Sequence, residues 1–492
     1  MSQITIQNLH FTYDGDHTPV FQELNLQLDT SWKLGLVGRN GRGKTTLLRL
    51  LAGELEGRGS IRLSQGSRYW PKPVDDSSRR TLDVLLEHVA PEEAWRLNWE
   101  LSKMGLGEEV LDRPFCTLSG GEQTRALLAS LFLAEGDYPM IDEPTNHLDG
   151  PGRELVAKYL RNLDQGFLLV SHDRAFLDGC VDHILSLNQT GPELVRGNFS
   201  SWFRDKEDRD RGELAQNEKL KGEIKRLERA ARRTSAWSDK IEQTKYGALN
   251  SGLKVDRGFI GHKSAKMMKR AKNLEGRQQK AIQEKAGLLK NVEWADSLKL
   301  SSQHYHSDRF LEGRELAISY PGTTGKLISF TLCQGERLCL DGGNGSGKTS
   351  LLRLLVGDEV PHSGTLFRAS GLKISYVPQK ADHLQGSLLS WAERQSIELT
   401  RFLTVLRKMD FSREQFERDM REYSAGQQKK VLLAASLCQS AHLYVWDEPL
   451  NYIDLFSRMQ IEELLLQYGP TLLFVEHDKV FQEKIATRVI KM

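Results

Sequence analysis

The amino-acid sequence predicts an α/β protein with two similar domains in tandem, joined by an α-helical hairpin. Two observations predict this organisation. Four sequence motifs occur twice, in the same order and at nearly equal spacing. Between the two copies lies a proline-free, highly charged segment in which apolar residues recur at helical spacing. The length of 492 residues agrees, because so long a chain does not fold around a single core.

The repeated motifs indicate that one half of the chain duplicates the other. Lys44 lies 98 positions before Asp142, and Lys348 lies 99 positions before Asp447. Four motifs in the same order do not recur by chance, so the chain contains two similar domains, and each motif can be compared with its second copy. The pairs are GRNGRGKTTLLRLLAG (38–53) with GGNGSGKTSLLRLLVG (342–357), LSGGEQTRALLASL (118–131) with YSAGQQKKVLLAASL (423–437), MIDEPTNHLD (140–149) with VWDEPLNYID (445–454), and LLVSHD (168–173) with LFVEHD (473–478).

The composition is that of an ordinary globular protein. Hydrophobic residues make up 39% of the chain and charged residues 27%, which excludes an intrinsically disordered protein. No apolar run approaches the roughly 18 residues of a membrane-spanning helix, and the start MSQITIQNLHF lacks the pattern of a signal peptide. Five scattered cysteines without a CxxC pair predict neither a disulfide framework nor a zinc site. We therefore expect a cytoplasmic protein with no membrane domain of its own.

The segment between the two copies carries most of the positive charge. Residues 204–300 hold 25 Lys and Arg and 15 Asp and Glu, a net charge of +10. The whole chain is +2, so the remainder sums to −8. Helices are predicted over 204–233 and 264–290, and the four glycines of 238–263 predict an irregular tip between them. The predicted domains are 1–203, a basic helical linker over 204–300, and 301–492.

The first motif predicts a phosphate-binding loop at the start of a helix. GxxGxGKT is a shortened match to the P-loop pattern GxxxxGK[ST], whose glycines let successive backbone N–H groups face phosphate. The helix that follows adds the positive end of its dipole. Lys44 and Lys348 are expected to neutralise the β- and γ-phosphates of ATP, and Thr45 and Thr349 to place hydroxyls on Mg²⁺. The predicted ATP-binding loops are Gly38, Arg39, Asn40, Gly41, Arg42, Gly43, Lys44, Thr45 and Thr46, and Gly342, Gly343, Asn344, Gly345, Ser346, Gly347, Lys348, Thr349 and Ser350.

A pair of acids ends an apolar run in each copy. The first acid is placed where a strand-end carboxylate would meet Mg²⁺, directly or through water. The second is placed to orient the water that attacks the γ-phosphate, since phosphoryl transfer needs mainly positioning and charge stabilisation. A histidine after a further apolar run is expected to contact the γ-phosphate. The metal ligands are thus Asp142 and Asp447, and the catalytic residues are Glu143, Glu448, His172 and His477.

Together these motifs resemble those of ABC-type ATPase domains over about four fifths of the chain. In that family two domains pair head to tail, so that each ATP lies between the P-loop of one and the signature sequence of the other. The resemblance implies that site one combines Gly38–Thr46, Asp142, Glu143 and His172 with Ser424, Ala425, Gly426 and Gln427. It implies that site two combines Gly342–Ser350, Gln379, Asp447, Glu448 and His477 with Ser119, Gly120, Gly121 and Glu122. Tyr13 and Tyr320 are candidates for stacking on adenine, with core packing as the alternative.

Two departures from the family pattern fall on site one. The second signature reads YSAGQQ instead of LSGGEQ, with Ala425 in place of a glycine and Gln427 in place of the acid. The first half has RYWPKPV where a YxPQ loop is expected, so Lys72 stands in the place of a metal-contacting glutamine. Gln379 of SYVPQK fits the pattern in the second half. We therefore expect unequal sites, with site one slower to hydrolyse ATP.

Two such domains around a charged linker of about 100 residues resemble the ABC-F family, as do DEPTNHLD and GNFSSWFRDKE (197–207). Members act on ribosomes, where the linker enters the tRNA exit site and points toward the peptidyl-transferase centre. IQNLHFTYDG and WKLGLVGRNGRGKTTLLRLLAG resemble the Lsa and Vga group of resistance proteins, associated with lincosamides, streptogramin A and pleuromutilins. The resemblance implies an ATPase that protects the 70S ribosome from these antibiotics and leaves after ATP hydrolysis.

Three other functions stay open at this point. The chain fits a housekeeping ABC-F translation factor that acts on stalled ribosomes. A transporter's ATPase subunit is a second possibility, although the basic hairpin argues against it. A DNA-repair or chromosome ATPase is the third, although those proteins place much longer coiled coils inside one domain.

The basic linker predicts a nucleic-acid partner, either rRNA or tRNA. Aromatic side chains near its tip are expected to stack on bases, at roughly 1–3 kcal/mol each, and basic ones to contact phosphates. The alternative is a solvated helix face. The candidates for stacking are Trp237, Tyr246 and Phe259, and those for phosphate are Lys240, Lys245, Lys254, Arg257 and Lys263. We expect a monomer in which the two ATPase domains pair within the chain.

Overall fold

The computed structural model describes residues 3–15, 18–87, 89, 95–133, 136–188, 191–246, 298–320 and 323–492, together with positions 269, 273, 276, 277 and 280. The chain separates into two compact units, of which one comprises residues 1–202 with 295–492 and the other residues 203–294. Both copies of the repeated motifs lie in the first unit. The domain limits predicted from the sequence, 1–203, 204–300 and 301–492, stay predictions.

The first half of the chain forms two sheets in its described part. The elements are β1 (Gln3–Phe11), β2 (Phe21–Asp29), β3 (Lys33–Val37), α1 (Lys44–Leu51), β4 (Arg58–Leu63), β5 (Gly66–Trp70), α2 (Thr81–Leu86), α3 (Leu97–Lys103), α4 (Gly120–Leu131), β6 (Asp137–Asp142), α5 (Gly150–Arg161), β7 (Phe167–Val170), α6 (Arg174–Cys180), β8 (His183–Asn188), β9 (Gly191–Arg196) and α7 (Phe199–Tyr246). An antiparallel sheet has the order β2–β1–β4. A second sheet has the order β5–β6–β7–β3–β8–β9 and is parallel except for the edge strand β9.

The second half repeats this arrangement. Its elements are β10 (Arg309–Tyr320), β11 (Thr323–Thr324), β12 (Ile328–Cys333), β13 (Arg337–Asp341), α8 (Lys348–Val356), β14 (His362–Arg368), β15 (Ile374–Val377), α9 (Leu388–Arg394), α10 (Leu399–Lys408), α11 (Ala425–Cys438), β16 (Leu443–Asp447), α12 (Leu455–Tyr468), β17 (Leu472–Val475), α13 (Lys479–Ile485) and β18 (Arg488–Lys491). A parallel sheet has the order β15–β16–β17–β13–β18, and β10 pairs antiparallel with β11, β12 and β14. The predicted α/β fold with two tandem domains is confirmed.

The parallel strands explain why the motifs meet. Strands β7, β16 and β17 are buried along their whole length, so they appear in the sequence as short apolar runs without alternation. Helices cover the sheets, and the apolar side chains between the layers form the cores of both halves. The carboxyl ends of parallel strands lie at one edge of a sheet, so the loops that follow β3, β6 and β7 are neighbours.

Helix α7 is longer than the sequence predicted. It covers 48 residues and ends at Tyr246, so the irregular conformation predicted from residue 238 onward is wrong up to that point. The reason is local, because residues 234–246 contain neither glycine nor proline and Gly247 is the first breaker. Five described positions between 269 and 280 are helical, within the predicted returning helix over 264–290. Among the described residues, no helix has the length and apolar character needed to cross a membrane.

Candidate nucleotide-binding sites

Each P-loop joins the end of a buried strand to the first turn of a helix. Gly43 precedes α1 with a left-handed backbone at φ 86°, and a Cβ at this position would lie 2.6 Å from the Phe21 ring. Gly347 precedes α8 with φ 95°. Glycine is therefore required directly before Lys44 and Lys348. The free N–H groups of the first helical turn that follows suit an anion.

The two P-loop lysines fold back over their own loops. Lys44 Nζ donates to the carbonyl oxygens of Gly38 at 2.9 Å and Arg39 at 3.1 Å. Lys348 Nζ donates to the equivalent carbonyls at 2.7 and 2.8 Å. Burial lowers the pKa of both ammonium groups. Within its loop, each ammonium group donates to neutral carbonyl oxygens. A negatively charged phosphate oxygen would be a stronger acceptor, so both lysines are placed to bind phosphate.

The acids at the ends of β6 and β16 fit a metal ion. Asp142 Oδ2 accepts hydrogen bonds from Thr45 Oγ1 at 2.7 Å and from the Tyr69 hydroxyl at 3.2 Å. Both carboxylate oxygens of Asp447 are buried without a hydrogen-bond partner among the described residues. Burial raises the pKa of Asp142, and it raises that of Asp447 to about 6. A buried, unpaired carboxylate is costly, and a threonine hydroxyl beside a carboxylate is an oxygen set that Mg²⁺ accepts.

The glutamates that follow these acids share a strained backbone. Glu143 has φ 52° and Glu448 has φ 45°, a region that residues other than glycine rarely adopt. Such a conformation costs about 1–3 kcal/mol and occurs preferentially at functional sites. The N–H of Glu143 donates to Val170 O at 2.9 Å, and that of Glu448 donates to Val475 O at 3.0 Å. The neighbouring strand of each sheet, β7 for Glu143 and β17 for Glu448, thus holds the glutamate backbone in place.

The environment of Glu143 favours a protonated carboxyl group. Its Oε1 lies 3.2 Å from Nε2 of His172. Burial, reinforced by the nearby charge of Asp142, raises the pKa of Glu143 to about 8. Burial also lowers the pKa of His172 well below its usual range, so this histidine is neutral. Without a ligand, site one therefore has a neutral acid beside a neutral imidazole at pH 7.

The environment of Glu448 favours the carboxylate. Burial alone raises the pKa of Glu448, but the interactions of its carboxylate with His477, Gln379 and Lys348 outweigh it and bring the pKa to about 2. Asn451 Nδ2 donates to Glu448 Oε2 at 2.7 Å, and His477 Nε2 lies 3.6 Å from Oε1. The glutamate of site two is therefore ionised at pH 7, as a group that orients and polarises water must be.

The two halves enclose a cavity of about 320 Å³ at site one. Both halves of the chain line it, as head-to-tail pairing requires. The predicted residues that line it are Asn40, Gly41, Gly43, Lys44, Thr45, Thr46, Asp142, Glu143, His172, Ser424, Gly426 and Gln427. The lining residues that the sequence analysis did not single out are Asn146, Val170, Asp410, Phe411, Gln415, Lys430 and Tyr452. The repeated motifs quoted above include Asn146, Val170, Lys430 and Tyr452, so the sequence carried a signal for these four, whereas Asp410, Phe411 and Gln415 lie outside the motifs.

Some residues predicted for site one lie outside this lining. Arg39 forms an ion pair with Asp410 of the second half, and its guanidinium lies 5.7 Å from the centre of the Phe456 ring. The Tyr13 hydroxyl lies 2.9 Å from Thr46 Oγ1, and its ring packs edge-on against Phe11. The other P-loop residues outside the lining are Gly38 and Arg42. Of Tyr320, only the backbone is described.

Site two encloses a larger cavity of about 590 Å³. Asn344 Nδ2 crosses it to donate to His147 O at 3.3 Å. The predicted residues that line it are Gly120, Asn344, Gly345, Ser346, Gly347, Lys348, Thr349, Ser350, Gln379, Glu448 and His477, and the additional ones are Asn146, His147 and Leu148. The predicted residues outside its lining are Gly342, Gly343, Asp447, Ser119, Gly121 and Glu122.

The signature sequences begin helices α4 and α11 with the same capping box. Ser119 N donates to Glu122 Oε2 at 2.7 Å, and Ser424 N donates to Gln427 Oε1 at 2.9 Å. Gln427 therefore replaces the acid without changing the local fold. Lys72 is exposed and lies outside the lining of cavity one, whereas Gln379 of the second half lines cavity two.

The ion pairs between the halves are also unequal. Arg174, directly after the His172–Asp173 turn, forms an ion pair with Glu462 of the second half, with Nη1 at 3.2 Å from Oε2. Glu462 is fully buried and also binds Lys484 Nζ at 3.0 Å. The equivalent Lys479 pairs with Glu154, and both of these side chains are exposed. Removing one partner of the buried pair would leave a buried charge without full compensation, so it should cost far more than removing one partner of the exposed Lys–Glu pair.

The predicted linker contacts are only partly described. The backbones of Trp237, Lys240, Lys245 and Tyr246 belong to α7, and their side chains lie outside the described part. Lys254, Arg257, Phe259 and Lys263 lie outside the described residues altogether. These eight contacts stay predictions.

Two P-loops on buried parallel strands, each sharing a cavity with the signature helix of the other half, define a tandem ABC-type ATPase. The profile of the ABC transporter family matches residues 21–146 and 326–451, just over half of the chain, so the chain belongs to this family. The predicted resemblance to ABC-F ATPases is confirmed. The chain is an ATP hydrolase whose ABC domains bind ATP.

Similar proteins cover nearly the whole chain. Ribosome protection protein VmlR of Bacillus subtilis (strain 168) is 28% identical over 490 residues, which are 98% of this chain and 85% of VmlR. Putative ATP-binding protein YdiF of the same organism is 27% identical over 533 residues, 96% of this chain and 77% of YdiF. Among solved structures, the complex of archaeal stalk protein aP1 with ribosome recycling factor aABCE1 matches with a TM-score of 0.64 at 20% identity. That match covers 98% of this chain and 87% of the other, and it shows the fold alone.

Proposed function

We propose that the chain is a cytoplasmic ABC-F ATPase that binds the 70S ribosome and protects it from antibiotics of the peptidyl-transferase centre. Lincosamides, streptogramin A and pleuromutilins are the proposed drug classes. The observation that carries the proposal is the similarity, over 98% of the chain, to a relative named ribosome protection protein. The net charge of +10 in residues 204–300 supports a partner with exposed rRNA and tRNA phosphates near the exit site.

ATP is proposed to hold the two halves together. A nucleotide in either cavity would contact residues of both halves, so its binding favours the closed arrangement over an open one. At site one the triphosphate would lie between Lys44 and the start of α11 at Ser424. Hydrolysis removes the link through the γ-phosphate, and the domains then open and release the ribosome. The linker joins both domains, so opening changes what its tip can reach.

Site two is proposed to carry most of the turnover. Glu448, ionised and held by His477 and Asn451, would orient and polarise the attacking water. Thr349, Asp447 and Gln379 would hold Mg²⁺, which neutralises charge on the β- and γ-phosphates. At site one the equivalent residues are Thr45 and Asp142. Glu143 carries a proton without ligand and cannot polarise the attacking water as a carboxylate until it ionises, so site one holds ATP longer.

Peptide synthesis by purified 70S ribosomes tests the proposal. Lincomycin, tiamulin or virginiamycin M is added, and activity is measured with this protein and ATP. We expect ATP-dependent rescue with at least one drug. A variant shortened over 236–263 should keep its ATPase activity and lose the rescue. Binding without rescue would favour the housekeeping translation factor, and neither binding nor rescue would refute both functions.

Release is tested separately. A Glu143→Gln, Glu448→Gln double variant should bind ribosomes in ATP and stay bound, because it retains ATP without hydrolysing it. A Lys44→Ala, Lys348→Ala variant is the matched control and should not bind stably. Dissociation of the glutamine variant at the wild-type rate would contradict the proposed role of hydrolysis.

A further inference from the structure

Two tryptophans of the first ATPase domain are exposed one helical turn apart. Trp95 is 77% exposed and Trp99 is 64% exposed. They lie at and just before helix α3, whose opposite face is buried through Leu97 and Leu101. The other tryptophans with described side chains are buried or half-buried: Trp32, Trp70, Trp202, Trp391 and Trp446. Among the tryptophans whose side chains are described, exposure is therefore confined to this pair.

The duplication provides an internal comparison for this helix. Helix α10 is its counterpart in the second domain, because Met104 and Met409 follow the two helices, are both fully buried and accept equivalent hydrogen bonds. The carbonyl of Met104 accepts from Arg125 Nη1 at 2.9 Å, and that of Met409 accepts from Lys430 Nζ at 2.7 Å. The alignment between the two copies is thus fixed without gaps around this point.

In this alignment threonines replace the tryptophans. Thr400 stands at the position of Trp95 and Thr404 at that of Trp99, and both threonines are exposed. The same supporting helix therefore forms with polar residues on its outer face. An exposed tryptophan does not contribute the free energy that burial of its indole would add to folding. We therefore infer that this pair binds something outside the domain.

The charges around the pair indicate which partner fits. Lys103 Nζ lies 5.2 Å from the centre of the Trp99 ring, so an indole face here already accepts a cation. Asn98, between the two tryptophans, donates to Glu108 Oε1 at 3.2 Å, and Glu108 and Glu109 are exposed. The equivalent of Glu108 in the second domain is Arg413, so this acid belongs to the first domain alone, whereas Glu109 is matched by Glu414. An acidic edge repels a phosphate backbone and attracts lysine and arginine.

We propose that Trp95, Trp99 and Glu108 form a docking surface for a lysine- and arginine-rich segment of a partner protein. Guanidinium and ammonium groups stack on the two indoles, and Glu108 pairs with a neighbouring cation. Tryptophan and arginine dominate the energetics of such interfaces. Under the proposed function, on which this identification rests, the segment belongs to a protein of the ribosome and not to rRNA.

Substitution by the residues of the second domain tests the surface with little risk to folding. Trp95→Thr with Trp99→Thr should weaken ATP-dependent ribosome binding about tenfold, the loss of roughly 1.4 kcal/mol. Glu108→Arg, which also copies the second domain, should weaken it in the same direction. Phe367→Thr is the matched control, because Phe367 is another exposed aromatic, 51% exposed and in contact with Arg309. Equal affinity of the tryptophan variant and the control would overturn the proposal.

The class of partner is identified by cross-linking. Benzoylphenylalanine in place of Trp99 is irradiated on ribosomes in the presence of ATP, and the adduct is treated with ribonuclease or protease. We expect an adduct that resists ribonuclease and contains a peptide rich in lysine and arginine. An adduct with RNA, or one confined to a second copy of this chain, would overturn the proposal.

A third measurement separates this proposal from the proposed function. If the wild-type protein does not bind ribosomes, the proposed function fails and the surface is tested with a twelve-residue peptide of alternating arginine and glycine. Quenching of tryptophan fluorescence that is lost in the Trp95→Thr, Trp99→Thr variant would support the docking surface. Identical titrations of both proteins would refute it.

Discussion

The opposite pKa shifts of Glu143 and Glu448, the two glutamates proposed as catalytic, predict opposite effects of the same substitution. Glutamine is a neutral isostere of protonated glutamate. Glu143 is held in its protonated form, with a pKa of about 8, whereas Glu448 is held as a carboxylate, with a pKa of about 2. In the absence of nucleotide and metal, Glu143→Gln should stabilise the folded protein at neutral and alkaline pH, and Glu448→Gln should destabilise it.

The size of the first effect follows from the shift of Glu143. Its pKa is about 8 in the folded protein, against 4.5 for an unperturbed glutamate. The folded state binds this proton more tightly than the unfolded state, so stability is lost as the pH rises from 4.5 through 8. From these two pKa values, the free energy of unfolding of the wild-type protein should be lower than that of Glu143→Gln by about 2 kcal/mol at pH 6 and about 4 kcal/mol at pH 8.

The second effect has the opposite sign. The folded pKa of Glu448 is depressed to about 2 from the usual 4.5, so its carboxylate contributes stability above pH 4.5 that is lost as the pH falls toward 2. Glu448→Gln should therefore cost about 3 kcal/mol at pH 7. The cost should shrink in acid.

Thermal unfolding in EDTA, without nucleotide, measures both effects. For a domain of this size about 1 kcal/mol shifts Tm by 2–4 °C, so Glu143→Gln should melt about 8 °C or more above wild type at pH 8, and about half as far above it at pH 6. Glu448→Gln should melt about 6 °C or more below wild type at pH 7. A Glu143→Gln advantage that is absent at pH 8, or that does not grow between pH 6 and pH 8, would refute the reasoning.

Two further predictions concern how the halves fit together. Arg174→Met removes one of the cations that face the buried Glu462, so we expect a cost of about 3 kcal/mol, seen as a higher ATP concentration for half-maximal activity. Lys479→Met removes an exposed ion pair and should cost less than about 1 kcal/mol in the same assay. Gly426→Ala, at the start of α11, places a Cβ 2.5 Å from the backbone oxygen of Tyr452, so calorimetry should show loss of one of two bound nucleotides. Gly121→Ala, whose nearest contact is 3.3 Å, should retain both, and equal behaviour of the two variants would count against this packing argument.

The phosphate-binding parts of the fold were predictable because their causes are local. Gly43 is needed where the chain turns with positive φ, and Lys44 and Thr45 follow it at the first turn of the helix. Apolar runs marked the buried strands that end in Asp142 and Asp447. The length of α7 was underestimated, although the sequence shows that residues 234–246 contain neither glycine nor proline.

The sequence by itself thus determined the α/β class, the duplication and the resemblance to ABC-F proteins, and it predicted the residues of each half-site. It did not determine the difference between Glu143 and Glu448, which follow the same Asp in the same motif. Only the tertiary structure decided that one is protonated and the other ionised. It also decided that Lys430 and Tyr452 line site one, that Arg174 meets Glu462, and that a tryptophan pair faces outward. The physical reason is that burial, charge and exposure are set by groups distant in sequence, which come together only when the two halves pack.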